Sequence, residues 1–355
     1  VGGGERLRGA LLVCLSGVAA TKSRALNVVV TGGGGMIGRK LVLRLLERGA
    51  LRGPGGEEQP ITKVIACDLA APDVPVPEDP RLEFLTGDFG DPALRSRLLT
   101  PETAVIFHLA AVVSGAAEED FELGWRVNLH HSEALLEGAR ALGTCPRVVF
   151  ASSAAVFGGD LPEEIEDGTA LNPQTSYGAQ KAMVEFLLTD YSRKGFLDGR
   201  ALRLPTIAVR PGKPNKAASS FASSLIRDPL EGRSYPCPVP PETRACLLSP
   251  RRVVESFIHA AELPAEAWGT QRAQALFGLT VTVAEMVAAL RAVAGDSVAD
   301  RISFEPDPVI MRIVDSWPVR FGSRRAHAMG FEGDRDLDEI IRGFIDDDLN
   351  GEFVS

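Results

Sequence analysis

The chain has 355 residues and a net charge of −9. This length fits one large α/β domain with a smaller lobe, while the acidic balance argues against a nucleic-acid partner. The five cysteines are scattered and form no CxxC pair, so the sequence predicts no metal site and favours a reducing cytoplasm.

The first 25 residues lie before the first predicted strand. Arg6 and Arg8 precede the apolar run Ala10–Ala20, which ends in small residues like a signal peptide. The run is too short to span a bilayer, so we expect no membrane partner. The other interpretation, which we favour, is an extension or misplaced start (residues 1–25) outside the fold.

Strands alternate with helices after Leu26. Short apolar runs predict strands over residues 26–31, 62–67, 82–85, 104–109, 147–151 and 200–204. Helical spacing predicts helices starting near Ile37, over residues 121–142 and over residues 177–194, and residues 52–60 read as a Gly/Pro loop. This alternation indicates an α/β protein with a doubly wound parallel-sheet Rossmann fold over residues 26–205.

The pattern changes after Pro205. Prolines recur between Pro211 and Pro241 and break the chain into short elements. Helices are predicted again over residues 250–262, 282–293 and 336–347. We therefore expect residues 206–355 to form mostly a smaller substrate-binding lobe, with some segments returning to the first domain.

A glycine-rich turn joins the first predicted strand to the first helix. In Thr31–Gly38, glycines at 32, 35 and 38 suit a tight turn on which a pyrophosphate rests at the helix N-terminus. Met36 and Ile37 open that helix and are expected, with the glycines, to contact the cofactor. Asp68 ends the next strand, where a carboxylate can accept hydrogen bonds from both hydroxyls of an adenosine ribose. This favours NAD over NADP, although Arg39 could hold a ribose phosphate.

Tyr177 and Lys181 are separated by one helical turn and share a helix face. A free phenol has a pKa of about 10, and a neighbouring ammonium lowers that pKa. Tyr177 can then remove a proton from a substrate hydroxyl while a hydride leaves the adjacent carbon. Ser153, at the end of the fifth strand, can hydrogen-bond the reacting oxygen, and Ser152 is its near rival.

These residues together resemble the extended short-chain dehydrogenase/reductase superfamily of NAD-dependent epimerases and dehydratases, from about Leu26 to the C-terminus. The resemblance implies a homodimer built through the helices over residues 121–142 and 177–194. It also assigns further contacts with NAD, in addition to the glycine loop, Asp68, Tyr177 and Lys181, to Asp88, Phe89, Leu109, Ala110, Ala111, Asn128, Pro205, Thr206 and Ile207.

The substrate is read from the C-terminal lobe. The stretches 210–216 and 315–322 resemble a branch of this superfamily that oxidises D-erythronate, which implies conversion to 2-dehydro-D-erythronate. The substrate's carboxylate needs a cationic anchor. Candidates are Arg210, Lys213, Lys216, Arg233 and Arg244, with Arg244 first because nucleotide-sugar members place a phosphate-binding arginine there. The predicted substrate contacts are Ser153, Tyr177, Asn215, Ser220 and Arg244.

The same residues are compatible with other activities of this superfamily. The alternative is a nucleotide-sugar 4-epimerase, which would use tightly bound NAD within one turnover. A dehydratase fits less well, because Ala154 and Ala155 stand where such members usually carry an Asp-Glu pair. A non-catalytic sensor on this scaffold is disfavoured, since Tyr177 and Lys181 are both present.

Overall fold

A computed structural model of the protein describes residues 26–53, 56–72, 76–212 and 218–355. The expectation of an extension over residues 1–25 lies outside these ranges. Within the described ranges, no helix is both long and apolar enough to cross a membrane.

The main sheet is parallel apart from one short strand. Its strands are β1 Leu26–Thr31, β2 Ala50–Arg52, β3 Glu58–Asp68, β4 Leu82–Thr86, β5 Thr103–His108, β6 Arg147–Ser153, β7 Asp198–Leu204 and β11 Ala273–Ala275. The parallel strands run in the order β4-β3-β1-β5-β6-β7-β11, and β2 pairs antiparallel with the start of β3. The order reverses direction between β1 and β5, which confirms the doubly wound Rossmann fold and places a crevice at their carboxyl ends.

Helices cover both faces of this sheet. One face packs against α1 (Met36–Arg48) and α8 (Pro250–Glu262). The other packs against α2 (Pro92–Leu98), α5 (Ser132–Ala141) and α6 (Ser176–Arg193). The strands are accordingly buried on both sides, which explains their nearly continuous apolar sequences.

One local prediction is confirmed with a refinement, and one was wrong. The helix predicted over residues 121–142 is present as one continuous helical segment made of α4 (Phe121–Gly124), a π-helical segment over Trp125–His131, and α5; a separate short helix, α3 (Ser114–Glu119), precedes it. The loop predicted over residues 52–60 contains part of a hairpin, because Arg52 pairs with Glu58 and Leu51 with Gln59.

A second core lies in the C-terminal half of the chain. It is built around the buried helix α7 (Ser220–Leu230) and a sheet of β8 (Thr206–Ile207), β10 (Arg244–Leu248) and β12 (Leu279–Thr282). The remaining elements are β9 Tyr235–Cys237, β13 Ile302–Phe304, α9 Ala265–Trp268, α10 Val283–Ala294, α11 Asp296–Ala299, α12 Pro308–Asp315, α13 Arg324–Ala328 and α14 Leu337–Asp348. Because β8 directly follows β7, this core is held beside the carboxyl edge of the main sheet.

Candidate active site

The glycine loop closes tightly between β1 and α1. Gly32 has φ +73°, and a Cβ on Gly38 would lie 2.0 Å from the carbonyl oxygen of Gly32. Gly35 is the N-cap of α1 and has no side chain, so no side-chain cap accepts hydrogen bonds from the first amides of the helix. Such a cradle fits a pyrophosphate, which has the acceptor oxygens that these amides need.

Asp68 lies at the end of β3 and faces this loop. Its Oδ2 accepts a hydrogen bond from the amide of Gly34 at 3.0 Å, and its Oδ1 accepts from the amide of Leu69 at 2.8 Å. The carboxylate is thereby fixed at the edge of the phosphate cradle, where the sequence places a ribose contact. The glycine loop and Asp68 together fit a dinucleotide of the NAD type.

The loop after β5, which contains Leu109, Ala110 and Ala111, is held from two sides. Asn128 accepts from the amide of Val112 at 2.8 Å and donates to its carbonyl at 3.0 Å. Thr31 lies on the other side, where its carbonyl accepts from the amide of Leu109. Asn128 is buried, so the structure places it as a support of this loop; its contact with NAD stays a prediction.

The other predicted NAD contacts lie along the same edge. Asp88 follows β4 and accepts from the amide of Gly90 at 2.8 Å. The side chain of Phe89 is buried between the rings of His108 and His131. Pro205 follows β7, and Thr206 and Ile207 form β8. Their roles in binding the cofactor stay predictions.

Ser152 and Ser153 have different surroundings. The Ser152 hydroxyl donates to Oε1 of Glu185 at 2.5 Å and is buried. The Ser153 hydroxyl is half-buried, accepts from the amide of Ala155 at 3.1 Å and acts on the phenol of Tyr177, whose pKa it lowers. The arrangement therefore favours Ser153 as the serine that faces the substrate.

Tyr177 and Lys181 lie on one face of α6, as the spacing predicted. The Lys181 ammonium is 5.5 Å from the centre of the Tyr177 ring and 4.6 Å from that of Phe150. Burial lowers the pKa of Lys181 to about 7, although the charge of Glu185 raises it. Because Phe150 lies near the carboxyl end of β6, the pair lies at the carboxyl edge of the sheet, where the glycine loop after β1 also lies.

The pKa of Tyr177 is raised and not lowered, contrary to the expectation from the sequence. Burial raises the pKa of Tyr177 to about 12, against the opposing effects of the Ser153 hydrogen bond and the Arg210 charge. The sequence shows that a charged residue is nearby, but it does not show the loss of water around the phenol, which raises the pKa.

Among the described residues of the C-terminal core, Arg210 is a cation whose charge acts on Tyr177. Its amide donates to Ser223 Oγ at 3.0 Å, and its carbonyl accepts from Arg227 at 2.9 Å. Arg244, which the sequence ranks first, is exposed at the start of β10 and acts electrostatically on Glu285. Ser220 begins α7, while Asn215, Lys213 and Lys216 lie outside the described residues.

Sequence reasoning missed Glu185 and Gln180. Glu185 accepts from Ser152 and from Arg203, and Gln180 accepts from Asn128 at 2.8 Å. The helical spacing Tyr177, Lys181, Glu185 could have indicated the first, because each residue is four positions after the last. Gln180 carried no such signal.

Comparison with known proteins finds relatives that match nearly the whole length of this chain. A family model described as the NAD dependent epimerase/dehydratase family matches residues 28–263. A D-erythronate dehydrogenase of Cupriavidus necator is 52% identical over 322 residues, which cover 91% of this chain and 98% of that protein. A D-erythronate dehydrogenase of Haemophilus influenzae is 44% identical over 327 residues, which cover 91% and 100%.

A solved structure is also similar. It is described as the nucleoside-diphosphate-sugar epimerase from Agrobacterium tumefaciens, is 41% identical and superposes with a TM-score of 0.86. The match covers 94% of this chain and 98% of that chain. The likeness therefore includes the C-terminal core as well as the main sheet.

Proposed function

Because the chain belongs to the NAD dependent epimerase/dehydratase family and is an NAD-dependent oxidoreductase acting on a CH–OH group, we propose that it oxidises D-erythronate at C2 to 2-dehydro-D-erythronate. The observation that supports the reaction type is the grouping of Ser153, Tyr177 and Lys181 at the carboxyl end of β6, on the sheet edge where the glycine loop also lies. The relatives of 52% and 44% identity support the substrate.

The position of Arg210 fits this class of substrate. In a 2-hydroxy acid, the carbon that is oxidised is bonded directly to the carboxylate. A cation that binds the carboxylate must therefore lie next to the base that takes the hydroxyl proton. The charge of Arg210 acts on the phenol of Tyr177, and its backbone is fixed to α7. We therefore assign the carboxylate to Arg210 ahead of Arg244.

Each site residue then has a chemical role. Bound NAD supplies the acceptor for the hydride, and its positively charged nicotinamide favours the phenolate. The Ser153 hydroxyl holds the C2 oxygen, and Tyr177 takes the proton from that oxygen as the C2 hydrogen departs with its electron pair. The ammonium of Lys181 stabilises the phenolate. The products are the 2-oxo acid, NADH and one proton.

A nucleotide-sugar 4-epimerase is the second candidate, which the likeness to the Agrobacterium tumefaciens structure favours. An epimerase would reduce and reoxidise its NAD within one turnover, so its substrate would produce no net NADH. The fate of the cofactor therefore separates the two activities.

The test is NADH absorbance with NAD and a panel of D-erythronate, its enantiomer, other four-carbon aldonates and UDP-hexoses. We expect one NADH per D-erythronate consumed, with a 2-oxo acid trapped as a hydrazone. NADP in place of NAD should be a poor acceptor because Asp68 repels a ribose phosphate. Interconversion of UDP-hexoses without NADH, or no NADH with any aldonate, would reject the proposal.

We further propose a homodimer located in the cytoplasm. The helices of the proposed contact expose Phe121 and Phe186, which are 50% and 64% accessible, and burial of such side chains is a common basis of subunit association. The free, buried thiols of Cys67, Cys237 and Cys246 are compatible with a reducing compartment. Light scattering of the wild-type protein and of Phe186→Glu tests the contact; equal masses for both at the dimer value would place the interface elsewhere.

A further inference from the structure

Glu185 occupies a central position beneath the site. Its carboxylate binds Arg203 through both oxygens, with 3.0 Å from Nε to Oε1 and 2.7 Å from Nη2 to Oε2. Oε1 also accepts the Ser152 hydroxyl at 2.5 Å. The three residues are buried, so this ion pair lies in a medium where its charges act strongly on their neighbours.

This carboxylate joins the two elements that hold the catalytic residues, β6 and α6, to the neighbouring strand β7. Ser152 is the neighbour of Ser153 in β6, and Arg203 is the register partner of Ser152 in β7. Glu185 itself is one turn after Lys181 in α6. A single buried group therefore fixes the end of β6 against the helix that carries Tyr177.

The charges around Lys181 come from several elements. His108 from β5 faces it, and is kept neutral because burial and the charge of Lys181 lower the pKa of His108 to about 3. Tyr177 precedes it in the same helix, and the ring of Phe150 lies against its ammonium. The charge of Glu185 is the one that favours the ammonium form of Lys181.

We propose that Glu185 is a positioning residue of this enzyme: it aligns Ser153 with Tyr177 through Ser152, and its buried carboxylate, one helical turn after Lys181, acts as a counter-charge to that ammonium. The catalytic part of this inference rests on the proposed function. The electrostatic part does not, because it concerns only the charge of Lys181 in the folded protein.

The variants must avoid leaving Arg203 as an unpaired buried charge, which would destabilise the fold. We therefore choose the double variant Glu185→Gln/Arg203→Met, which removes both charges and retains a side-chain oxygen to accept from Ser152. Asp334→Asn is the matched control, because Asp334 is also a buried carboxylate and accepts from Ser249 at 2.6 Å and 2.7 Å.

The first measurement needs no substrate. Lys181→Met is introduced into the wild-type and double-variant backgrounds, and the melting temperature is measured at pH 6. We expect Lys181→Met to raise the melting temperature more in the double variant, where the ammonium has lost its counter-charge. Equal shifts in the two backgrounds would overturn the electrostatic role.

The second measurement is the pH profile of kcat/KM for NADH formation. We expect the double variant to lose about 10- to 100-fold in kcat at neutral pH, which corresponds to loss of part of the acid–base contribution. The alkaline limb of its profile should move to lower pH by about one unit or more, since Lys181 loses its proton sooner. Asp334→Asn should leave the limb in place.

The two measurements separate failure of this inference from failure of the proposed function. A wild-type protein that makes no NADH from D-erythronate rejects the substrate, while the melting experiment still decides whether Glu185 acts on Lys181. A double variant that is slower with an unshifted pH profile and equal melting shifts shows that Glu185 is only a structural contact. Recovery of the wild-type profile in Glu185→Asp, which restores the charge, would support the proposal.

Discussion

Ser152 and Ser153 are adjacent in β6, yet one hydroxyl faces the buried carboxylate of Glu185 and the other faces the phenol of Tyr177. Alternate side chains of a strand point to opposite faces, so only one of two neighbouring serines can reach the substrate. The structure thereby separates two residues that the sequence left as rivals.

Tyr177 is the proposed base, and Tyr177→Phe removes only its hydroxyl. We expect turnover to fall by about 100- to 10,000-fold, the usual contribution of a general base, while NAD binding measured by calorimetry is retained. Tyr191→Phe, on the same helix with its hydroxyl bonded to Glu137, serves as the control. Near wild-type turnover in Tyr177→Phe would assign the base to another group.

Asp68 is proposed to select NAD through its charge. In Asp68→Asn an amide oxygen can still accept from Gly34, so the glycine loop keeps its hydrogen bond while the negative charge is lost. We expect the Kd for NAD to rise about 10-fold and the preference for NAD over NADP to narrow. Asp91→Asn, at the cap of α2, should change neither; an unchanged preference in Asp68→Asn would remove this residue from cofactor selection.

Lys181 should destabilise the cofactor-free protein at neutral and acidic pH. Burial lowers its pKa to about 7, from about 10.4 in the unfolded chain. Between these values the unfolded chain holds a proton that the folded protein lacks, so this contribution makes stability rise with pH across that window. The full cost is present below pH 7.

Lys181→Met therefore should raise the melting temperature by a few degrees at pH 6, with a gain that shrinks as the pH approaches 10, and should abolish turnover. Thermal denaturation from pH 6 to 10 measures this directly. A gain that does not depend on pH would mean that Lys181 does not change its protonation state on folding.

Arg210 is proposed to bind the substrate carboxylate. Loss of a charged hydrogen bond costs about 1.5–3 kcal/mol, so Arg210→Met should raise the KM for D-erythronate about 10- to 100-fold while the Kd for NAD stays the same. Arg244→Met, at the exposed start of β10, should change KM far less. A larger effect at Arg244 would restore the ranking that the sequence suggested.

Local sequence patterns predicted those elements whose conformation is determined by residues close together in the sequence. The buried strands and the Gly32–Gly38 turn follow from apolar runs and glycine spacing, and Tyr177 and Lys181 from helix geometry. The π-helical segment Trp125–His131 inside the predicted helix was not visible in the sequence, and neither was the hydrogen bond of its buried Asn128 to Val112 in the preceding loop.

Electrostatic features were predicted less well. The pKa of Tyr177 depends on how much water the folded chain excludes, and the sequence shows only which charges are nearby. The choice between Arg210 and Arg244 likewise depended on how β8 and β10 are placed beside the main sheet. The role of Glu185 required knowledge that β6, β7 and α6 meet at one buried point.

The central claim is that a hydride leaves C2 of a small hydroxy acid for NAD. It is tested most directly with D-erythronate carrying deuterium at C2, followed by mass spectrometry of the reduced cofactor. The account predicts one deuterium in each NADH and a 2-oxo acid product. NADH without deuterium, or consumption of the substrate without reduction of NAD, would contradict it.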